Sequence, residues 1–178
     1  MSDRCNNEIH IVLVEPSHPG NIGATARAMK TMGLTSLILV RPTRFPDPQA
    51  DWRAAGATDV LDAAIVADDL SEAIGPCSLV VGTSTRTRRV PWPLVSPETL
   101  ARNLADGAAG GKPVAIVFGR ESSGLTNAEL AMCQLHLQIP ASPVYPSLNL
   151  AMAVQVVTYE LYKTSNSGTD VLDWDRER

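Results

Sequence analysis

The segment from Ile139 to Tyr162, IPASPVYPSLNLAMAVQVVTYELY, limits what this chain can become more than any other. It opens with Pro140, Pro143 and Pro146. Proline fixes φ and has no N–H to give to a ladder, so this stretch is neither helix nor central strand and reads as an ordered loop. From Ser147-Leu148-Asn149 onward the pattern becomes that of a helix over roughly 148–162, whose plainly polar members are Asn149, Gln155, Thr158 and Glu160. Leu148, Met152, Val156 and Tyr159 mark one apolar face, and Leu150, Val154, Val157 and Leu161 mark another. A helix apolar nearly all round is covered on more than one side. The expectation is a core on one side and a second copy of the chain on the other, with Val157 and Leu161 in the contact between copies.

The remaining sequence suits a single domain with a substantial core, at 178 residues. Hydrophobic residues make up 44% but aromatics only 4%, so aliphatic side chains build the interior. Apolar runs such as Ile11–Val14 are far shorter than a membrane span, and no signal peptide is visible, so no membrane partner is expected. Cys5, Cys77 and Cys133 form no CxxC pair and are odd in number, which points away from a disulfide framework and towards a reducing cytoplasm. A net charge of −4 argues against a generic polyanion binder. The charge is uneven, however. No Lys or Arg lies between Arg53 and Arg86, where Asp59, Asp62, Asp68, Asp69 and Glu72 fall; then comes Arg86-Thr87-Arg88-Arg89. Those arginines are either a local anion-binding patch or a solvated loop.

Short β-branched runs at Glu8–Val14, Ser36–Val40, Cys77–Val81, Val114–Phe118 and Leu135–Ile139 read as strands, and Asp59–Val66 holds a further short one. Helices fall between them. The first is capped by Asn21 and runs to about Met32; a short one covers Ala50–Ala55, and another starts near Asp68 with acids in its first turn. Ser96-Pro97-Glu98 opens a fourth, and Thr126–Glu129 is a capping box. On the first helix Ile22, Ala26 and Met29 share a face. Gly23, Arg27 and Lys30 share another, where Gly23 leaves room for something to approach Arg27. Thr164–Gly168 reads as a polar linker to a charged tail.

Fully apolar strands alternating with helices imply an α/β fold, a parallel sheet with helices on both faces. Such sheets bind ligands at the carboxyl ends of their strands. Three of those ends carry loops rich in small residues and hydroxyls: Gly82-Thr83-Ser84, Gly119–Gly124 and Pro140–Ser147. The Gly119–Gly124 loop has the glycine spacing of a P-loop, but Leu125 stands where the lysine is required, which counts against a nucleoside triphosphatase. Gly20-Asn21-Ile22-Gly23 lacks the opening of a dinucleotide fingerprint. His10, His18 and His136 share no metal-ligand spacing, so no metal is expected.

Three stretches together carry a resemblance: Asn21-Ile22-Gly23-Ala24-Thr25-Ala26-Arg27, the FGRESSGL loop and IPASPVYPSLNLAMAV. In this order, with GTSTRTR between the first two, they closely resemble the three motifs of the SPOUT class of RNA methyltransferases. Within that class they resemble the tRNA (cytidine/uridine-2′-O-)-methyltransferases. The match covers about Ile9 to Tyr162. The resemblance implies a C-terminal trefoil knot, a rare exception to unknotted topology. It also implies S-adenosylmethionine as cofactor, a homodimer, and methylation of the ribose 2′-hydroxyl of the first nucleotide of the tRNA anticodon loop. Cofactor contacts then fall on Thr83, Ser84, Thr85, Gly119, Ile139, Ser147, Leu148 and Asn149. Arg27 becomes the catalytic residue, and Arg86 and Arg88 the grip on RNA phosphates, reached across the dimer. An arginine, with a pKa above about 12, is a poor literal base. Its role is better read as hydrogen-bond donor and stabiliser of developing charge. Glu121 either holds its loop by accepting backbone N–H groups or faces solvent.

Residues 1–163 thus read as a catalytic domain and 164–178 as a linker and tail. Bacterial relatives of this type continue into a helical extension that helps to hold tRNA, so the expectation is an isolated catalytic domain. The rival reading is a non-catalytic RNA-binding or assembly module of the same fold. Arg27 and Ser147-Leu148-Asn149 favour the enzyme.

Overall fold

The computed structural model describes residues 8–85 and 93–166. Its strands are β1 (Ile9–Val14), β2 (Ser36–Val40), β3 (Ile65–Ala67), β4 (Leu79–Thr83), β5 (Leu94–Val95), β6 (Val114–Phe118) and β7 (Leu135–Leu137). Its helices are α1 (Pro19–Thr31), α2 (Pro48–Ala54), α3 (Thr58–Asp62), α4 (Leu70–Ile74), α5 (Pro97–Ala105), α6 (Asn127–Ala131) and α7 (Leu150–Ser165), with a 3-10 turn at Ala55–Ala57. All pairings are parallel, in the order β3-β2-β1-β6-β4-β7-β5. Side chains of β1 alternate between two cores. Ile11 and Leu13 join residues of α1, α2, α3, α5 and α7, while Val12 and Val14 join those of α4 and α6. Both faces are therefore covered, which is why the strands carry no polar alternation.

Several local signals act as the sequence implies. Ser96 caps α5, and Thr126 and Glu129 form the reciprocal capping box of α6. Other expectations need correction. Asn21 is not a cap. Pro19, pre-set for the first helical turn, starts α1 three residues earlier behind His18, which leaves the Asn21 side chain free for other partners. β4 extends to Thr83 because Gly82 and Thr83 pair with His136 and Leu137 of β7. The ambiguous 59–66 stretch divides between α3 and β3. β5, only two residues long, has too little pattern to be seen in advance. The expected linker begins inside α7, whose last turn includes Thr164 and Ser165.

The most consequential correction concerns α7, which packs on α1 and α5. Val157 is fully buried and Leu161 9% exposed, both inside the chain's own core. The outward face is the other one, with Met152 62% and Tyr159 48% exposed, flanked by Leu148 and Val156. The two faces are equally apolar in sequence, and only packing against α1 and α5 decides between them.

Gly23 has a different role from the one its position suggested. A Cβ there would overlap the Ala50 carbonyl oxygen and lie 2.8 Å from its carbon, so the gap beside α1 is filled by α2. We expect Gly23→Ala to destabilise the fold by about 1–3 kcal/mol, the usual cost of forcing atoms into a packed contact. Gly20→Ala, which meets only flexible side chains of Gln49 and Arg53 at 3.4 Å or more, should cost less. Urea denaturation of the two variants checks this; equal losses would show that the α1–α2 contact yields readily.

Candidate functional site

The carboxyl ends of β4, β6 and β7 surround a cavity of about 370 Å³. That lies within the roughly 300–1,000 Å³ of small-molecule sites. Thr83, Ser84, Thr85, Gly119, Ile139, Ser147 and Leu148 all line it, as the motif resemblance implies. Asn149 does not line it. It accepts from the Ala151 and Met152 N–H groups and so caps α7 behind the cavity wall. The Thr83 hydroxyl donates to the Val117 carbonyl at 2.9 Å, so towards the cavity it can offer only an acceptor or its methyl. The structure brings neither Arg27 into the lining nor any other residue of α1. Arg27 is exposed on that helix. Arg86 and Arg88 lie outside the described residues.

The Gly119–Gly124 loop forms one wall. A Cβ on Gly119 would overlap Gly124 and Leu125 backbone, so the loop closes on itself only with glycine there. Arg120 and Gly124 then bond through their backbones. The loop's two charged residues are both engaged. The Arg120 guanidinium pairs with Glu15 and with Glu129 at 2.8 Å, and also donates to the Gly124 carbonyl. Glu15 sits at the end of β1 at φ +47°, a left-handed conformation costly for a glutamate. Arg120 and Arg41 hold its carboxylate there.

Glu121 takes the first of its two expected roles. Its carboxylate accepts from the Ser17 N–H, the Ser17 hydroxyl and the His18 N–H at 3.1–3.2 Å, and from the Asn21 amide at 3.3 Å. Burial works against its charge, but these donors and its own backbone N–H outweigh burial and hold its pKa below the ordinary glutamate value. Glu129 is likewise depressed: burial opposes the charge, and Arg120 and the Thr126 N–H overcome it. Sequence reasoning missed Arg120 and Glu15. Glu129 had been recognised for its cap alone, and nothing local signals that Glu15, more than a hundred positions earlier, meets the same guanidinium.

What remains for a ligand is a slot with apolar walls, from Leu125, Leu137, Ile139 and Leu148, edged by Thr83, Ser84, Thr85, Ser122, Ser123 and Ser147. Among the described lining residues the charged ones, Arg120 and Glu121, are already paired within the protein. Such a site suits a nucleoside-sized ligand bound through backbone groups and hydroxyls, and leaves a cationic ligand unopposed by any uncompensated cation.

Comparison with known proteins gives the following. Residues 8–159 match the model of the SpoU rRNA Methylase family. A tRNA (cytidine/uridine/adenosine-2′-O-)-methyltransferase TrmJ from Pseudomonas aeruginosa is 56% identical over 155 residues, covering 87% of this chain and 60% of the relative. The chain thus spans about 60% of the length of that curated relative. A probable methylase family protein from Haemophilus influenzae superposes with a TM-score of 0.84 at 52% identity, covering 89% of this chain and 66% of the other. The crystal structure of TrmJ from Z. mobilis gives a TM-score of 0.82 at 39% identity, covering 86% and 68%.

Because the folded pKa of Glu121 is depressed, its contribution to stability is present above the unfolded value, near 4.5, and is lost as pH falls through the lower folded value. Glu121→Gln should therefore cost on the order of 1 kcal/mol at pH 7, after allowance for solvent screening, and progressively less as pH falls below the unfolded value. Denaturation midpoints measured from pH 3 to 7 check this; a deficit independent of pH would mean that the carboxylate's charge is not what holds the loop.

Proposed function

The chain belongs to the SpoU rRNA Methylase family, and from its 56% identity to a tRNA 2′-O-methyltransferase TrmJ we propose that it methylates the ribose 2′-hydroxyl of a tRNA nucleotide, a cytidine or uridine at the first position of the anticodon loop. The observation that carries the reading is the cavity, lined by nearly all the residues that the motifs assign to cofactor contact. S-adenosylmethionine is the proposed cofactor, and when bound it supplies a methyl group already made electrophilic by its sulfonium. Backbone groups of the 83–85, 119–124 and 146–148 segments would read its adenine and amino-acid ends, with Ile139 and Leu148 as apolar walls. The relative from Pseudomonas aeruginosa is named for cytidine, uridine and adenosine, which fits selection of a ribose in its structural context more than of one base.

Two demands remain for the protein: orienting the hydroxyl, and stabilising the negative charge that develops on it. Arg27 is the proposed donor for both. Its absence from the cavity lining of its own protomer fits a site completed across a homodimer. The face of α7 bearing Met152, Val156 and Tyr159 is the proposed contact, because each such side chain left in water forgoes roughly 1.5–3 kcal/mol of burial. A two-fold pair lets the same face cover itself. Arg86 and Arg88 are proposed to hold RNA phosphates. The reading includes the trefoil knot, supported by the position of β7 between β4 and β5, two strands that precede it in the chain.

Calorimetry with S-adenosylmethionine separates this reading from a non-catalytic RNA-binding module: we expect heat of binding, and its absence at millimolar cofactor would favour the module. Arg27→Ala should lower the rate of methyl transfer by about a hundredfold or more, the scale of a lost charge-stabilising donor. Its cofactor affinity should stay within a few fold, and a wild-type rate would remove Arg27 from the reaction. For assembly, Met152→Asp or Val156→Asp should yield folded monomers in sedimentation, whereas Val157→Asp should unfold the chain. Dimers persisting in both surface variants would place the contact elsewhere.

A further inference from the structure

Two polar demands face each other across the cavity's rear wall. The first turn of α7 presents the N–H groups of Ala151 and Met152, which need an acceptor. The Glu121 carboxylate needs donors. Between them stand the amides of Asn149 and Asn21. Asn149 Oδ1 accepts from Ala151 N at 2.9 Å, which turns its Nδ2 to donate to Asn21 Oδ1 at 3.0 Å. Asn21 Nδ2 in turn donates to Glu121 Oε1 at 3.3 Å. Each amide has its orientation set by its neighbour, so the chain from carboxylate to helix runs with one polarity. It joins three segments far apart in sequence: the start of α1, the loop after β6, and the start of α7.

We propose that Asn21 is a positioning residue that seats α1, and with it Arg27, against the loops that form the cavity. This rests on the methyltransferase reading above and extends it. Arg27 lies six residues beyond Asn21, about 9 Å along the helix axis. The start of α1 has no side-chain cap of its own: His18 gives none, and the Ser17 and His18 N–H groups are satisfied by Glu121 instead. The start of the helix, whose body packs on α2 and α7, is thus tied to the β6 side by Glu121 and, through Asn21, to Asn149 at the start of α7. A small tilt of α1 would move Arg27 relative to a hydroxyl that must sit in line with a methyl group, and misplacement of about 1 Å can cost about a hundredfold in rate.

Asn21→Asp is the discriminating variant, since it keeps shape and the acceptor for Asn149 but sets a second carboxylate against Glu121. The charged and titratable neighbours are Arg120, already paired with Glu15 and Glu129, and His18, which contributes its backbone N–H. Two carboxylates this close share a proton as pH falls, which restores a donor to Glu121. At pH 8 we expect methyl transfer by Asn21→Asp to fall about tenfold or more, with cofactor affinity within threefold of wild type. As pH is lowered from 8 into the range where the pair takes up its shared proton, the variant should recover relative to wild type. Carboxyl carbon NMR should show the Glu121 titration raised in the variant, with shifted Asn149 side-chain amide signals. The double variant Asn21→Asp with Glu121→Gln, which cannot share a proton in this way, should lose the recovery, and it provides a second folded sample if the single variant melts early. An unmoved Glu121 titration, or a loss of rate and cofactor affinity in equal measure without recovery, would overturn the proposal. Wild-type protein that gives no heat with S-adenosylmethionine would overturn the function proposed above instead, while the Glu121 titration would still decide whether the hydrogen-bonded chain exists.

Discussion

The loop after β6 keeps its form because its two charged residues are committed to different partners. Arg120 is tied to Glu15 and Glu129, and Glu121 to the turn between β1 and α1. With the glycine at 119 allowing backbone to lie on backbone, these contacts leave the loop little freedom. Much else follows from that. The β1–α1 turn is held by a carboxylate from another strand, so α1 needs no cap of its own. The left-handed residue ending β1 is supported by the same guanidinium that braces α6. Because all strands are parallel, these ends lie on one side of the sheet, where a ligand is met by three loops at once.

The electrostatics of the cavity follow from the same pairing. A site proposed to accept a sulfonium would gain nothing from a free guanidinium in its wall, and Arg120 is neutralised by two carboxylates. In the proposed reaction, the donor for developing alkoxide would be kept off this wall and supplied by Arg27 on α1. On that reading, binding and chemistry would be divided between separate elements. Their relative placement then becomes a structural quantity that hydrogen bonds between loops have to maintain.

Much of this was legible in advance, and the exceptions have physical causes. β6, the caps of α5 and α6, and the three site loops could be read because each depends on residues close in sequence. The proline and serine at 97 and 96, or the threonine and glutamate at 126 and 129, carry their own geometry. What could not be read depends on distant partners. Asn21 looked like a cap, since its neighbours give no hint of Glu121 and Asn149. Gly23 looked like an opening, since α2 is invisible from α1. Val157 and Leu161 looked like an interface, since both faces of α7 are apolar, and a hydrophobic pattern records how much of a helix is covered but not by what.

That ambiguity is informative about α7 itself. An ordinary surface helix has one apolar stripe, and its pattern identifies the core. Here Val154, Val157 and Leu161 fasten the helix to α1 and α5, while Met152, Val156 and Tyr159 stay partly exposed on the outer side, with the Lys163 ammonium over the Tyr159 ring. The same helix is capped by Asn149, whose amide leads through Asn21 to the cavity loop. A second copy settling on the outer face would therefore press on an element already bonded to the site. The face that would bring Arg27 of one subunit towards the cavity of the other lies on the helix that helps to set that cavity's shape, so assembly and site geometry would be secured by one element.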